Sequence, residues 1–207
     1  MRLSYYFLKL IIGFILLMSS AVARADDAGA VAVVEKLHAT LLEAMKNADK
    51  LGYQGRYALI APVVVSSFDT PLIAQVVLSR YWKELGPEQQ KQFVELFTHL
   101  SAATYASRFD SFTDEAFKTV GVEQMKKERL LVKTELTSKN DSPVKLEYLV
   151  QQNGGNWYII SVIADGVNDL ALKRAEYATI INDKGFDNLV SEIGKKIHAL
   201  ETPAAKK

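Results

Sequence analysis

The chain has 207 residues, 25 Lys and Arg against 24 Asp and Glu, 49% hydrophobic residues and no cysteine. That length and apolar share suit one globular domain, or at most two small ones, and exclude a disordered or collagen-like chain. A charge near zero offers no basic field for nucleic acid, and the missing cysteine removes disulfide frameworks, Cys-bound zinc, iron–sulfur clusters and thiol nucleophiles.

Residues 1–25 read as an export signal. Arg2 and Lys9 form a positive start, Leu10 to Met18 is an unbroken apolar run, and Ala23-Arg24-Ala25 is an A-x-A cleavage site before Asp26-Asp27. The run is about half the ~20 residues a spanning helix needs, so a cleaved signal peptide is expected, with an uncleaved anchor as the alternative. Removing Arg2, Lys9 and Arg24, and no acid, leaves 22 basic against 24 acidic residues in a mature domain of residues 26–207. The expected location is the periplasm, and the polar stretch from about residue 201 reads as a disordered tail.

The mature chain begins with a helix over Ala28–Asp49, where Val33, Leu37, Leu41 and Met45 recur at i, i+4 spacing. A more apolar stretch, Arg56–Phe68, holds Pro62, which should start or kink a helical turn. Thr70-Pro71 then reads as an N-cap with Pro at the first helical position, opening a helix to about Leu85. Gly86-Pro87-Glu88 starts the next helix, which runs to about Phe109.

After Phe112 the period falls to two. Strands are predicted through Phe117–Val122, Leu130–Thr137, Val144–Gln151 and Trp157–Ile163, with Asn153-Gly154-Gly155-Asn156 as a hairpin turn. Alternation puts Leu130, Val132, Leu136, Leu146, Val150, Ile159 and Ile163 on the apolar face, joined by Thr134, Tyr148 and Ser161. Lys133, Glu135, Lys145 and Glu147 take the opposite face. Helical spacing returns after Gly166 and breaks at Lys184-Gly185 before a last helix, Asp187–Leu200. Helices, then an antiparallel meander of about four strands, then helices define an α+β fold: a twisted sheet covered by helices, of NTF2-like appearance, expected to enclose an apolar cavity, with an ordinary filled core as the alternative.

Little chemistry is visible. His38, His99 and His198 stand on separate helices with no partner at metal-ligand spacing and read as surface or cap histidines. Asp165-Gly166-Val167-Asn168-Asp169 lacks the long loop and terminal acid of a calcium site and reads as a strand-to-helix turn. No nucleophile elbow or Gly-rich phosphate loop occurs. The enzyme alternative is an isomerase or dehydratase of the curled-sheet type, but no acid or imidazole falls on the apolar strand face to move a proton. Binding without catalysis, without metal and without cofactor is the favoured reading. A ligand-free adaptor of a membrane transport complex is the other alternative.

Several strings carry a family resemblance. Leu78-Ser79-Arg80-Tyr81-Trp82-Lys83, Pro87-Glu88-Gln89, Phe93-Val94-Glu95-Leu96-Phe97 and Ala103–Phe109 occur in order, followed by Asn156-Trp157-Tyr158, Asp165-Gly166-Val167 and Lys184–Leu189. Together they resemble the MlaC family of periplasmic phospholipid carriers, and Phe68-Asp69-Thr70-Pro71-Leu72 resembles its hopanoid-associated HpnM branch. Ser79 stands where that family carries Gly. The resemblance implies a shuttle moving phospholipid or hopanoid-type lipid between inner and outer membranes. It implies transient contact with an MCE-type or RND-type inner-membrane transporter and an outer-membrane lipoprotein complex, and no catalytic residues.

The physics of such a role is simple. A methylene is worth about 0.8 kcal/mol, so a sixteen-carbon chain in water costs on the order of 12 kcal/mol and needs an apolar sleeve. By periodicity, the expected lining is Ile73, Val77, Tyr81, Trp82, Phe93, Phe97, Leu100, Tyr105, Leu130, Val132, Leu146, Tyr148, Trp157 and Ile159, with hinges at Pro71 and Gly86.

Overall fold

The computed structural model describes residues 27–139 and 141–202; the predicted export signal and the tail beyond Thr202 lie outside the described residues. Helix α1 (27–46) is amphipathic as its spacing predicts, and Ala30, Val34, Leu37, Leu41 and Ala44 are fully buried. Helix α2 (Ala48–Ser67) follows almost at once. Its non-helical residue is Gly52 (φ 58°, ψ −173°), a backbone that residues with a Cβ avoid, so the break falls there and not at Pro62. Pro62 stays inside the helix, its missing donor offset by the burial of Ile60 and Val64 on either side. Arg56 is buried too. Its guanidinium donates to the Ala106 and Ala48 carbonyls (2.9 and 3.3 Å), tying α2 to the last turns of the fourth helix.

The helical and β layers are clipped together at Phe68 and Asp69. Phe68 pairs with Ile159 as a parallel bridge, and the Asp69 N–H donates to the Ile159 carbonyl at 3.1 Å. The Asp69 carboxylate accepts from the Leu72 N–H and from the Asn153 side chain (3.1 and 3.0 Å), capping helix α3 (Thr70–Leu78) while holding a sheet turn. The cap is thus Asp69, one residue before the Thr70 that the sequence suggests.

Helix α3 stops at Leu78, well short of the expected Leu85, and a 3-10 turn covers Ser79–Glu84. The cause is Ser79, whose φ of 53° and ψ of −119° reverse the chain in a region that suits glycine. The Ser79 hydroxyl accepts from Arg174 at 2.9 Å. Helix α4 (Pro87–Arg108) begins at its Gly86 cap, where Gln89 accepts from the Gly86 N–H. The chain ends with α5 (Asp169–Lys184) and α6 (Phe186–Glu201), separated at Gly185.

Five antiparallel strands lie in sequence order: β1 (Ala116–Met125), β2 (Arg129–Thr137), β3 (Val144–Asn153), β4 (Asn156–Ala164) and the two-residue β5 (Val167–Asn168). The β3–β4 turn uses Gly154 and Gly155 at φ 59° and 82°, as its sequence requires. Two bulges shift the parity. In β4, Leu149 pairs Ser161 while Val150 pairs Ile159, leaving Ile160 as the extra residue. Trp157, Ile159 and Val162 therefore pack on the inner face, and Ser161 and Ile163 turn to the other side, against the strict alternation expected of them. In β1 the same effect at Thr119–Gly121 leaves Val120 49% exposed.

The inner face of the sheet meets α1, α2 and α4 in one apolar cluster containing Leu37, Leu41, Ile60, Val132, Tyr148 and Ile159. A second cluster, including Ile73, Val77, Phe93, Phe97, Tyr177 and Ile193, joins α3, α4, α5 and α6. Tyr57 and Phe68 touch both.

Replacing Ser79 by Gly relieves a backbone strain on the order of 1–3 kcal/mol at the cost of extra unfolded-chain entropy and one surface hydrogen bond. We expect Ser79→Gly to raise stability by about 1 kcal/mol, read as a Tm increase of roughly 2–4 °C; a lower Tm would show that the Arg174 contact outweighs the strain.

His38 is not a surface residue. It is 4% exposed, its Nε2 lies 3.0 Å from the Tyr148 hydroxyl, and its ring stacks on Phe117 at 4.0 Å. Burial lowers its pKa from 6.5 to about 4. The unfolded chain takes up this proton first, so the stability it confers is complete above pH 6.5 and is lost as pH falls toward 4. Urea unfolding at pH 4.5 and 7.5 should show about 2–3 kcal/mol more loss on acidification in the wild type than in His38→Gln; equal losses would refute the assignment.

Candidate functional site

The expected lining residues fall mainly in two packed clusters. Leu130, Val132, Tyr148 and Ile159 are buried in the cluster under the sheet, with Tyr105, Leu146 and Trp157 packed at its edge. Ile73, Val77, Phe93, Phe97 and Leu100 belong to the helical cluster, with Trp82 at its border. Tyr81 is held at the side by hydrogen bonds from Arg80 and to Asn182. Trp157 lies against Gly29, where an added Cβ would come within 2.7 Å of the indole.

A chain of rings crosses the helix–sheet interface: Phe68, Tyr105, Phe109, Phe117 and His38, then Tyr148. Desolvation pushes the Tyr105 and Tyr148 hydroxyls well above the usual phenol range, and both are neutral. His38 is neutral as well near pH 7. Here an imidazole does face the interior, contrary to the sequence expectation, because it comes from α1 and not from a strand. It serves the Tyr148 hydroxyl in a dry setting, and no carboxylate orients it. Among the described residues no group of three or more His, Cys, Asp or Glu gathers in a way that could hold a metal.

An open space lies beside this interface. A pocket of about 350 Å³ sits between α3, the outer face of the sheet at β3 and β4, and the start of α5. Leu72 and Val76 come from α3, Leu149 from β3, Ile160 and Ser161 from β4, and Leu170 and Ala171 from α5. Arg129, Asn168 and Arg174 complete it. None of the expected lining residues is among them. On α3 the difference is one residue: Ile73 and Val77 turn into the helical cluster, while Leu72 and Val76 face the pocket. On β4 the bulge presents Ile160 and Ser161 to the pocket while Ile159 stays in the core. A parity count cannot see a bulge, so the sequence placed Ser161 inside.

The polar groups of the pocket are held by named contacts. Arg129 Nε donates to Gln151 at 2.8 Å, and Arg174 donates to Ser79. The Asn168 side chain caps α5 by accepting from the Leu170 and Ala171 N–H groups at 3.0 and 3.2 Å. The Ser161 hydroxyl is buried without a hydrogen-bond partner. The arrangement is an apolar concavity with two cations and a spare hydroxyl, suited to holding an amphiphile and lacking a poised proton donor or acceptor.

Comparisons with known proteins agree with this architecture. The toluene tolerance protein ttg2D of Pseudomonas putida is 22% identical over 161 residues, covering 74% of this chain and 73% of that protein. The solved phospholipid-binding protein of Ralstonia solanacearum, in complex with a phospholipid, superimposes with a TM-score of 0.74 at 21% identity, covering 84% of this chain and 99% of that one. Residues 35–195 match the MlaC protein family, and the chain belongs to that family.

Proposed function

We propose that this protein is a periplasmic lipid carrier that takes a phospholipid or hopanoid-type lipid from one membrane and releases it at the other, without chemistry. The apolar pocket between α3, β4 and α5 carries the proposal, in a chain whose family and structural neighbour point to phospholipid. At about 350 Å³ it stands near the lower end of the ~300–1,000 Å³ typical of small-molecule pockets, enough for part of a lipid. The remaining hydrocarbon is housed as α3 and α5 move off the sheet, along the seam where Tyr57 and Phe68 touch both clusters. On this reading Tyr105, Leu146, Trp157 and Ile73 serve as further lining once the two layers part. The energetic case is that a sixteen-carbon chain withdrawn from water gains on the order of 12 kcal/mol, enough to offset a local opening.

Among the described residues no helix is long and apolar enough to cross a membrane. The docking partners on this reading are an inner-membrane transporter of MCE or RND type and an outer-membrane lipoprotein complex.

Native mass spectrometry of protein isolated from the periplasm should show a bound lipid, and preparations that are repeatedly empty and take up no lipid from vesicles would overturn the carrier reading. A blocking variant sharpens the test. Val132 is fully buried in the core, so a Trp there reports on folding, whereas Val76 is 48% exposed at the pocket rim. Val76→Trp should lower lipid uptake about tenfold while changing stability by no more than about 0.5 kcal/mol; undiminished uptake would place the ligand elsewhere.

A further inference from the structure

We propose that the α3–β4–α5 pocket selects lipids whose head group carries a net negative charge, with Arg129 and Arg174 holding the head-group oxyanion. The inference rests on the carrier reading and names the ligand class of the same pocket. Three observations converge on it.

First, both charged residues that line the pocket are arginines, and no acid lines it. Their hydrogen bonds go to neutral partners, Gln151 and Ser79, one N–H each. A guanidinium carries five donors in a planar fork, so donors remain for a phosphate or carboxylate. The acid next in sequence to the pocket, Asp169, is engaged by Lys173.

Second, the positive end of α5 opens on the pocket at Asn168 and Leu170. Asn168 accepts from the Leu170 and Ala171 N–H groups, so these contribute field and not hydrogen bonds to a ligand.

Third, Ser161 is 8% exposed, lines the pocket, and has a buried hydroxyl with no partner. A buried hydroxyl left unpaired costs free energy that a ligand oxygen, from an ester or a phosphate, recovers. Leu72, Val76 and Leu149 supply the apolar wall beside it for the adjoining hydrocarbon. A zwitterionic head brings its own cation to the two arginines and loses most of this gain; a neutral head has none to make.

The test offers the intact protein vesicles of phosphatidylcholine containing a minor fraction of phosphatidylglycerol, and identifies the lipids extracted by mass spectrometry. Phosphatidylglycerol should be enriched about tenfold over its share in the vesicle. Arg129→Gln combined with Arg174→Gln should abolish the enrichment while phosphatidylcholine is still extracted, and Arg129→Lys with Arg174→Lys, which keeps the charge, should retain part of it. Millimolar inorganic phosphate should leave the bound phosphatidylglycerol in place. Extraction in proportion to vesicle composition, enrichment that survives the double Gln variant, or displacement by inorganic phosphate each overturns the anionic-head assignment and leaves the carrier reading standing. Extraction of neither lipid overturns both.

Discussion

The bulge at Ile160 is the constraint from which the rest of the molecule follows. A strand without it would send alternate side chains to fixed faces along its whole length. Here the register slips between the Leu149–Ser161 and Val150–Ile159 pairs, so one short segment of β4 serves two environments. Ile159 closes the core under the sheet and accepts the Asp69 N–H that anchors the helical layer. Its neighbours Ile160 and Ser161 form one wall of a pocket that α3 and α5 cover from outside. The strand that locks the two layers together is thus the strand that lends apolar surface to the pocket.

Much of this architecture was legible in the sequence, and the failures have identifiable causes. Helical spacing located α1, α4 and α6, and Asn153–Asn156 located the hairpin, because local periodicity and turn chemistry are short-range properties. Pro62 reads as the break in α2, although Gly52 carries the left-handed backbone. The early stop of α3 was invisible because it arises from a serine in a conformation few serines adopt. The resemblance did mark that position, since Gly is the residue expected there. His38 was misplaced for a different reason: a lone histidine on an apolar helix gives no sign of its partner, and Tyr148 lies 110 residues away.

The candidate site was the least legible part. Periodicity finds residues that face other elements, and Val132, Phe93 and Leu100 are buried as such residues are. On the helices the pocket residues are half-buried or exposed, and on α3 they lie one position off the core stripe, Leu72 and Val76 beside Ile73 and Val77. A carrier needs this separation. Fully buried side chains fix the fold, while neighbouring, less enclosed apolar groups stay free to exchange water for hydrocarbon. The strained Ser79 and its bond to Arg174 stand where α3 meets α5, beside the pocket.

The central claim is that lipid hydrocarbon lies against the walls shared by α3, β4 and α5. It is tested most directly by photo-crosslinking with a phospholipid bearing a diazirine in its acyl chain, followed by peptide mapping of the adducts. The account predicts adducts on Leu72, Val76, Leu149, Ile160 or Leu170, extending to Trp157 and Tyr105 for deeper diazirine positions. Adducts confined to other surfaces, such as the outer side of α6 or the β1 edge, would contradict it.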